Sequence, residues 1–251
     1  MKSVSDFFAP IAPIKGIKHS DYLSLKFYIE SLIAIARMID LSFYIIDYKK
    51  QEFVYVSENP LFLCGYKQDE VKSLGYTFYS KVVPEDDLNL LLEINQAGFG
   101  FYYNLPAERR PKGYISYDFR MKNIDGNIVM VNHKLTPFIL NEEGNLWISL
   151  CLVTLSSSKK SGNMFIFMQD EGVKHNYNFK TRKFTAFKNK PLSQIEKKVI
   201  ELLSLGLTSK DIAKQMVISI NTVKFHKKRI FEKLNVQNSN EAVYLSTKQK
   251  S

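Results

Sequence analysis

The C-terminal quarter of the chain contains four segments that each begin with a residue suited to start an α-helix. The starts are Ser193, Thr208, Ser219 and Asn238. Glu196 stands three positions after the first start, which is the spacing of a capping box, and Gly206 is placed to end the helix that follows. Apolar residues then recur at helical spacing. Because the second and third predicted helices are only a few residues apart, the pattern constrains this segment to a helix-turn-helix.

The third predicted helix carries different residues on its two faces. Val223, Ile230 and Leu234 are spaced to point into the domain. The outward positions hold Lys224, Phe225, Lys227, Lys228 and Arg229. Lysine and arginine in a recognition helix contact phosphates or guanine edges, and an exposed aromatic ring contacts a thymine methyl group. A second interpretation stays open, because a basic helix face is often only solvated, and Phe225 then packs against the first helix.

Positive charge is concentrated in the same segment. Residues 190–251 contain 12 Lys and Arg against 5 Asp and Glu, a net charge of +7 out of the formal +10 of the chain. A local excess of this kind raises the expectation of a polyanionic partner. Together with the capping residues and the helix spacing, it favours double-stranded DNA as that partner.

Fifteen residues spread over positions 192–236 match a known family pattern. These residues are Leu192, Glu196, Gly206, Ile212, Ala213, Ile218, Ser219, Thr222, Val223, Lys224, His226, Ile230, Lys233, Leu234 and Val236. The pattern resembles the DNA-binding domain of the LuxR family. The resemblance implies a four-helix domain that binds DNA as a homodimer, with Lys224, Phe225 and Lys228 in the major groove and with Thr222 and Lys210 near phosphates. The sequence QNSNEAV after Val236 departs from the family, which usually has an arginine or a similar residue before the Ala-Val pair.

The residues before this segment predict a mixed fold. Residues 22–39 are dense in apolar side chains and predict a helix, and the runs 42–48 and 51–57 predict a hairpin. Further helices are predicted at 58–64, 67–73 and 84–96, and further strands at 113–122, 127–140 and 145–155. The fold class expected is therefore α+β, with a five-stranded antiparallel sheet and short helices, followed by an all-α four-helix helix-turn-helix domain.

A second resemblance lies in residues 42–155. The run SENPLFLCGYKQDEV contains Asn59-Pro60 and Gly65-Tyr66, and VVPEDDLNLL follows it. These motifs resemble a PAS domain, which implies a sensory or dimerising module whose sheet and helices often enclose a ligand.

The residues of this module favour no cofactor. Cys64 lies in FLCGY rather than in the asparagine-cysteine-arginine context of a flavin photosensor. No histidine occurs between His19 and His133, and His133 lies on a predicted strand, so haem is not expected. No ligand-binding residue is assigned. Seven residues are expected to belong to the hydrophobic core and not to a ligand pocket. They are Phe53, Tyr55, Phe78, Leu91, Phe119, Met121 and Trp147.

Four parts are expected along the chain. They are an N-terminal arm and helix (1–40), a PAS-like sensor domain (41–155), a β-rich extension and linker (156–190) and a LuxR-type helix-turn-helix domain (191–251). Cys64 and Cys151 match no metal or redox spacing, so we expect buried free thiols in a reducing cytoplasm and no metal. The most apolar window, 23–46, contains four charged residues, which argues against a membrane span.

These observations are compatible with two candidate functions. The first is a one-component transcription regulator whose PAS-like sensor controls the helix-turn-helix in response to a small molecule or a partner protein. The alternative makes the N-terminal domain a protein-interaction or dimerisation platform without a ligand. A sizeable cavity would favour the first function and an exposed apolar patch the second. No P-loop, zinc spacing, nucleophile elbow or phosphoacceptor pattern occurs, so enzyme activity is not expected.

Overall fold

The computed structural model describes residues 4–187, 190–236 and 238–248. The predicted extension and linker (156–190) and the first (1–40) and last (191–251) predicted parts each include residues outside this range. The described residues divide into two compact units, one formed by residues up to 170 together with 176–185, and the other by residues 171–175 together with those after 185. None of the described helices is long and apolar enough to cross a membrane.

One sheet of eight described strands lies mainly in the first unit, although residues 173–175 and 186–187 of its last two strands belong to the second unit. The strands are β1 (Ser42–Asp47), β2 (Glu52–Val56), β3 (Gly113–Lys122), β4 (Ile128–Leu140), β5 (Leu146–Leu155), β6 (Gly162–Met168), β7 (Val173–Asn178) and β8 (Lys183–Phe187). They lie side by side in the order β2-β1-β5-β4-β3-β6-β7-β8. The first five strands form the predicted antiparallel sheet, and the predicted hairpin and turns are present. The predicted α+β fold is thereby confirmed.

The predicted extension continues this sheet. β6 pairs antiparallel with β3, and β7 and β8 follow it at the edge, so the sheet has eight described strands rather than five. Residues 162–187 therefore contain three described strands.

Nine α-helices accompany the sheet among the described residues. They are α1 (His19–Ile39), α2 (Pro60–Leu63), α3 (Gln68–Leu74), α4 (Thr77–Val82), α5 (Glu85–Tyr103), α6 (Gln194–Ser204), α7 (Ser209–Met216), α8 (Ile220–Leu234) and α9 (Ser239–Lys248). Helices α2–α5 connect β2 to β3. Helix α4 has no counterpart in the sequence prediction, and α5 continues seven residues beyond its predicted end.

Strand β1 explains how the helices are arranged about the sheet. All six of its residues are buried, so the strand has no polar outer face. Tyr44 and Ile46 belong to the core cluster shared with helices α2–α5, whereas Phe43 and Ile45 belong to a second cluster shared with α1. Because side chains alternate along a strand, the two clusters lie on opposite faces of the sheet. Helix α1 therefore covers the face that α2–α5 leave open.

A buried carboxylate fixes the start of α5 to the sheet. Asp87 is 3% exposed and accepts hydrogen bonds from the backbone N–H of Arg120 (2.7 Å), its guanidinium (2.7 Å) and the hydroxyl of Ser161 (2.7 Å). Burial alone would raise the pKa of Asp87, but the hydrogen bonds from Arg120 and Ser161 outweigh it and hold the pKa below its usual value. The carboxylate thus ties α5 to β3 and to the turn before β6.

The second unit contains the four helices that the capping residues predict. The Ser193 hydroxyl accepts from the Glu196 N–H and that of Thr208 from the Asp211 N–H, and both capping boxes are complete. Gly206 has φ +80°, a conformation that glycine adopts without strain, and it follows the end of α6.

Cys64 and Cys151, in the first unit, are both buried and free, as predicted.

Candidate nucleic-acid interface

The turn between α7 and α8 sets the direction of the candidate recognition helix. Val217 ends α7 in the left-handed conformation, with φ 55°, and the residue is 90% exposed. Two residues later the Ser219 hydroxyl caps α8 by accepting from the Thr222 N–H at 3.0 Å. The Ser219 and Thr222 hydroxyls also lie 2.8 Å apart. Thr222 is therefore held at the first turn of α8, where backbone N–H groups and the helix dipole favour an anion.

The inward face of α8 is formed by the residues that the sequence predicts. Val223 and Ile230 are fully buried and Leu234 is 1% exposed. They pack with α6 and α7, whose Leu202 and Ile212 are also buried. This packing fixes which residues of α8 face outward.

The seven predicted DNA contacts do not all lie on one surface. Lys224, Phe225 and Lys228 are exposed on the side of α8 opposite its buried face; the Phe225 residue is 53% exposed and the Lys228 side chain 78% exposed. Lys210 is exposed near the start of α7. Lys224, Phe225 and Lys228 form what we call the outer face of α8; Thr222 lies at its N-terminal end, and Lys210 belongs to the neighbouring α7.

Two other predicted contacts take part in the domain itself. Lys227 is half-buried, because its position on the helix lies next to the inward face. The Arg229 Nε lies 3.5 Å from a Glu196 carboxylate oxygen, and its guanidinium carbon lies 5.6 Å from the centre of the Phe225 ring. Phe225 is 53% exposed, and its ring is flanked by Arg229 and His226.

Glu196 connects α6 to α8, a role that the sequence prediction missed. Its side chain is 1% exposed, and it accepts from the Lys233 ammonium at 2.6 Å and from the Ser193 N–H at 2.7 Å. Burial would raise the pKa of Glu196, but the hydrogen bonds from Lys233 and Ser193 outweigh it, so the pKa lies below its usual value. The capping box signalled only the local bond, because Lys233 is far away in sequence.

The first unit contains a small cavity between α5 and the sheet. Its volume is about 70 Å³, and its lining includes Phe99, Tyr102, Tyr117, Leu135 and Ile166. The Tyr102 hydroxyl is buried and has no hydrogen-bond partner in the described structure. The lining is largely apolar but also includes Asn95, Arg110 and Tyr114, and within the described residues the hydroxyl of Tyr102 is left without a partner.

None of the seven residues expected to be plain core lines this cavity. Six of them are buried in the two core clusters, and the seventh, Tyr55, is half-buried against α1's side of the sheet. The centre of the core is instead filled by a polar aromatic cluster. The Tyr44 hydroxyl contacts the Tyr79 hydroxyl and lies 2.6 Å from Nε2 of His133. Burial lowers the pKa of His133 to about 3, so its ring is neutral.

The geometry of the second unit defines a class of protein module. A capped helix packs its apolar side on two others and presents basic side chains and an aromatic ring outward, which is the arrangement of a helix-turn-helix DNA-binding domain. Residues 190–246 match the family described as bacterial regulatory proteins, luxR family. This segment is a luxR-family domain, and the predicted resemblance is confirmed for it.

A curated relative shares the same segment. The oxygen regulatory protein NreC of Staphylococcus epidermidis is 38% identical over 61 residues, which are 24% of this chain and 28% of the relative. The chain therefore matches little more than a quarter of the length of its curated relatives.

Some solved structures resemble a larger part of the chain at low identity. A Vibrio cholera VqmA–ligand–DNA complex is 13% identical, with a TM-score of 0.29, over 87% of this chain and 86% of that one. A light-oxygen-voltage domain studied with a flavin analogue is 20% identical, with a TM-score of 0.38, over 51% of this chain and 86% of that one. Likeness at these TM-scores carries no conclusion about function.

Proposed function

We propose that the chain is a cytoplasmic transcription regulator that binds double-stranded DNA sequence-specifically through its luxR-family domain. The observation that carries this proposal is the outer face of α8. Lys224, Phe225 and Lys228 point away from the domain, and the ion pair that Lys228 makes with Glu232, at 3.9 Å, joins two side chains that are both largely exposed. A helix of this composition, following a tight turn, suits the major groove.

The predicted contacts divide into two roles under this proposal. Lys224, Phe225 and Lys228 face the bases and the groove walls, whereas Lys210 and Thr222 approach phosphates at the ends of α7 and α8. We assign Lys227 and Arg229 a smaller part in DNA contact, because the first is half-buried and the second pairs with Glu196. Residues 41–190 then form the sensor and its extension.

Loss of Lys224 or Lys228 is expected to weaken DNA binding. Binding-site selection with purified full-length protein supplies the duplex, and the dissociation constant is then measured between 50 and 300 mM salt by fluorescence anisotropy. If each lysine neutralises one phosphate, Lys224→Ala and Lys228→Ala each reduce the slope of log K against log salt by about one unit. A lysine that reads a guanine instead costs about 1–3 kcal/mol on the selected sequence and little on random DNA.

A lysine on α6 provides the matched control. Lys197 is exposed in the same domain, and Lys197→Ala removes the same charge from a different surface. Its slope and affinity are expected to stay close to those of the wild type. Unchanged binding in both α8 variants, or an equal loss in the α6 variant, would overturn the assignment of α8 as the recognition helix.

The cavity in the first unit supports a small-molecule signal. A volume of about 70 Å³ admits only a compact guest, and the lone Tyr102 hydroxyl would give it one hydrogen bond. Native mass spectrometry of the purified full-length protein is expected to show a bound mass that is lost on denaturation and diminished in Tyr102→Phe. A wild-type spectrum at the mass of the chain alone would favour regulation without a ligand.

A second candidate function has its own supporting observation. Many large side chains of the described sensor core are fully buried, and α1 exposes large apolar side chains, as described below. Under this alternative the N-terminal domain is a protein-interaction or dimerisation platform, and the signal reaches it through association. The luxR-family domain and its DNA binding are common to both candidates.

A further inference from the structure

Helix α1 has two apolar faces, and only one of them is covered. Leu25 is 2% exposed and packs, with Tyr22 and Ile29, in the cluster that contains Trp147 of β5. The Tyr22 hydroxyl also donates to the buried carboxylate of Asp47 at 2.9 Å. These contacts fix the rotation of α1 on the sheet, so the opposite side of the helix is held outward.

The outward side and the flank beside it carry six large apolar residues, and one of those on the flank, Tyr28, has its ring 6.0 Å from that of Phe138 in β4. They are Leu23 (61% exposed), Phe27 (68%), Tyr28 (48%), Ile35 (47%), Met38 (78%) and Ile39 (58%). We call this set the outer face of α1. By the usual size of such side chains it presents on the order of 700 Å², more than the largest apolar patch of a typical monomer and close to one partner's share of a standard interface. An uncovered surface of this size is rare on a monomer in water.

Small residues lie between the large ones. Ser24, Ser31 and Ala34 are exposed along the same side, and Ser31 stands at its middle. The Ser24 hydroxyl donates to the Ser20 carbonyl at 3.3 Å, and the Ser31 hydroxyl donates to the Phe27 carbonyl at 3.1 Å. Since these hydroxyls are already bonded within the helix, burying them in an interface leaves no donor unsatisfied.

We propose that the outer face of α1 pairs with the same face of a second copy of the chain, with the two-fold axis near Ser31. A two-fold interface places one patch against itself, so a patch that is apolar along its whole length and small at its centre is complementary to its own copy. The biological meaning of this inference rests on the proposed function, because the pair brings two luxR-family domains to one DNA site.

The charges of α1 favour a second copy over an anionic surface. The helix contains two acidic residues, Asp21 and Glu30, and two basic ones, Lys26 and Arg37. A helix that lies on a membrane needs a strongly cationic polar side, and a nucleic-acid surface needs a basic excess. Helix α1 has neither, and its second face is occupied by the sheet. A neutral apolar stripe meets no like-charge repulsion from its own copy.

The oligomeric state of the full-length protein tests this pairing without DNA. Sedimentation velocity from 0.5 to 50 µM is expected to show a dimer for the wild type. Phe27→Asp and Met38→Asp place a carboxylate in the buried interface and are expected to raise the dimer dissociation constant at least 100-fold. Leu155→Asp is the matched control, since Leu155 is 70% exposed at the end of β5. It is expected to sediment as the wild type does.

A second measurement covers the case in which the aspartate variants fail to fold. Ser31→Cys is treated with a short bismaleimide, which is expected to yield covalent dimers within minutes. Ser73→Cys, an exposed serine on α3, is expected to yield almost none. The natural thiols do not compete, because both are buried and burial raises the pKa of Cys64 to about 11.

The outcomes separate this inference from the proposed function. A monomeric wild type at 50 µM, dimers that persist in folded aspartate variants, or equal cross-linking through positions 31 and 73 would each overturn the pairing through α1. DNA binding is read separately by anisotropy. If the aspartate variants are monomers and retain weakened, half-site binding, both conclusions stand. If the wild type is a dimer through α1 but binds no DNA sequence, only the proposed function fails.

Discussion

Replacing Glu196 by alanine is expected to lower the free energy of unfolding of the luxR-family domain by about 3–5 kcal/mol, the usual cost of removing one partner from a buried ion pair. The side chain is 1% exposed, and Lys233, at 2.6 Å, is itself only 19% exposed. Without the carboxylate, the Lys233 ammonium is left in the interior without its partner. The N-cap of α6 also loses the bond to the Ser193 N–H. Hydrogen exchange at the amides of α6 and α8, followed by mass spectrometry, measures the loss within this domain.

An exposed glutamate on the same helix gives the comparison. Glu201 pairs with Lys198 at 2.9 Å, but both side chains are about half exposed, so Glu201→Ala is expected to cost only about 0.5 kcal/mol. If the amides of α6 and α8 are as well protected from hydrogen exchange in Glu196→Ala as in Glu201→Ala, the buried ion pair does not hold the two helices together.

The same carboxylate makes the domain sensitive to acid. Its pKa in the folded domain lies below the usual value, so the folded state binds fewer protons than the unfolded chain. The stabilisation is complete above the pKa of the unfolded chain, about 4.3, and is lost as the pH falls through the lower folded value. Glu196→Gln, which cannot titrate, is expected to remove this part of the pH dependence.

The luxR-family domain could be predicted from its sequence because its signals are local. A capping residue such as Ser193 or Ser219 accepts a hydrogen bond from an N–H only three residues away. The spacing of the apolar residues in α8 likewise predicts its buried face directly. The ion pairs of Glu196 could not be predicted in this way. They depend on how α6 and α8 pack, and the helix periodicity alone does not say that Arg229 turns towards Glu196 instead of outward.

The first unit was harder to predict for a related reason. The strands and turns of the sheet follow from short patterns, but strand order is a long-range property. The sequence of β6 alone does not predict that this strand pairs with β3, because the two strands are about fifty residues apart in the chain. Helix α1 shows the same limit. Its apolar residues predict a helix, but only its fixed rotation on the sheet separates Leu25, which is buried, from Phe27, which is exposed.

The core of the first unit leads to a second large effect, a loss of stability in mild acid. His133 is 1% exposed, its Nε2 lies 2.6 Å from the Tyr44 hydroxyl, and its Nδ1 has no partner in the described structure. Neither neighbour offers a negative charge to an imidazolium, because burial raises the pKa of both Tyr44 and Tyr117 well above 10. Burial therefore holds the pKa of His133 at about 3, against about 6.5 in the unfolded chain.

The sign of the effect follows from this lowered pKa. Between pH 6.5 and 3 the unfolded chain binds a proton that the folded domain does not, so the free energy of unfolding falls as the pH falls. From pH 7 to pH 5 the loss from this one residue is expected to be about 2 kcal/mol. Urea unfolding followed by tryptophan fluorescence reports on this unit alone, because Trp147 is the one tryptophan of the chain and is 3% exposed.

Two histidine variants separate this cause from the general effect of acid. His133→Gln has no imidazole to protonate, so its stability is expected to change about 2 kcal/mol less than that of the wild type between pH 7 and pH 5, whatever its stability at pH 7. His19→Gln, at an exposed position, is expected to keep the wild-type slope. A wild-type stability that is flat over this range, or a slope that survives in His133→Gln, would mean that water or a bound molecule reaches the ring. The aromatic cluster around Tyr44 would then be part of the ligand site instead of solid core.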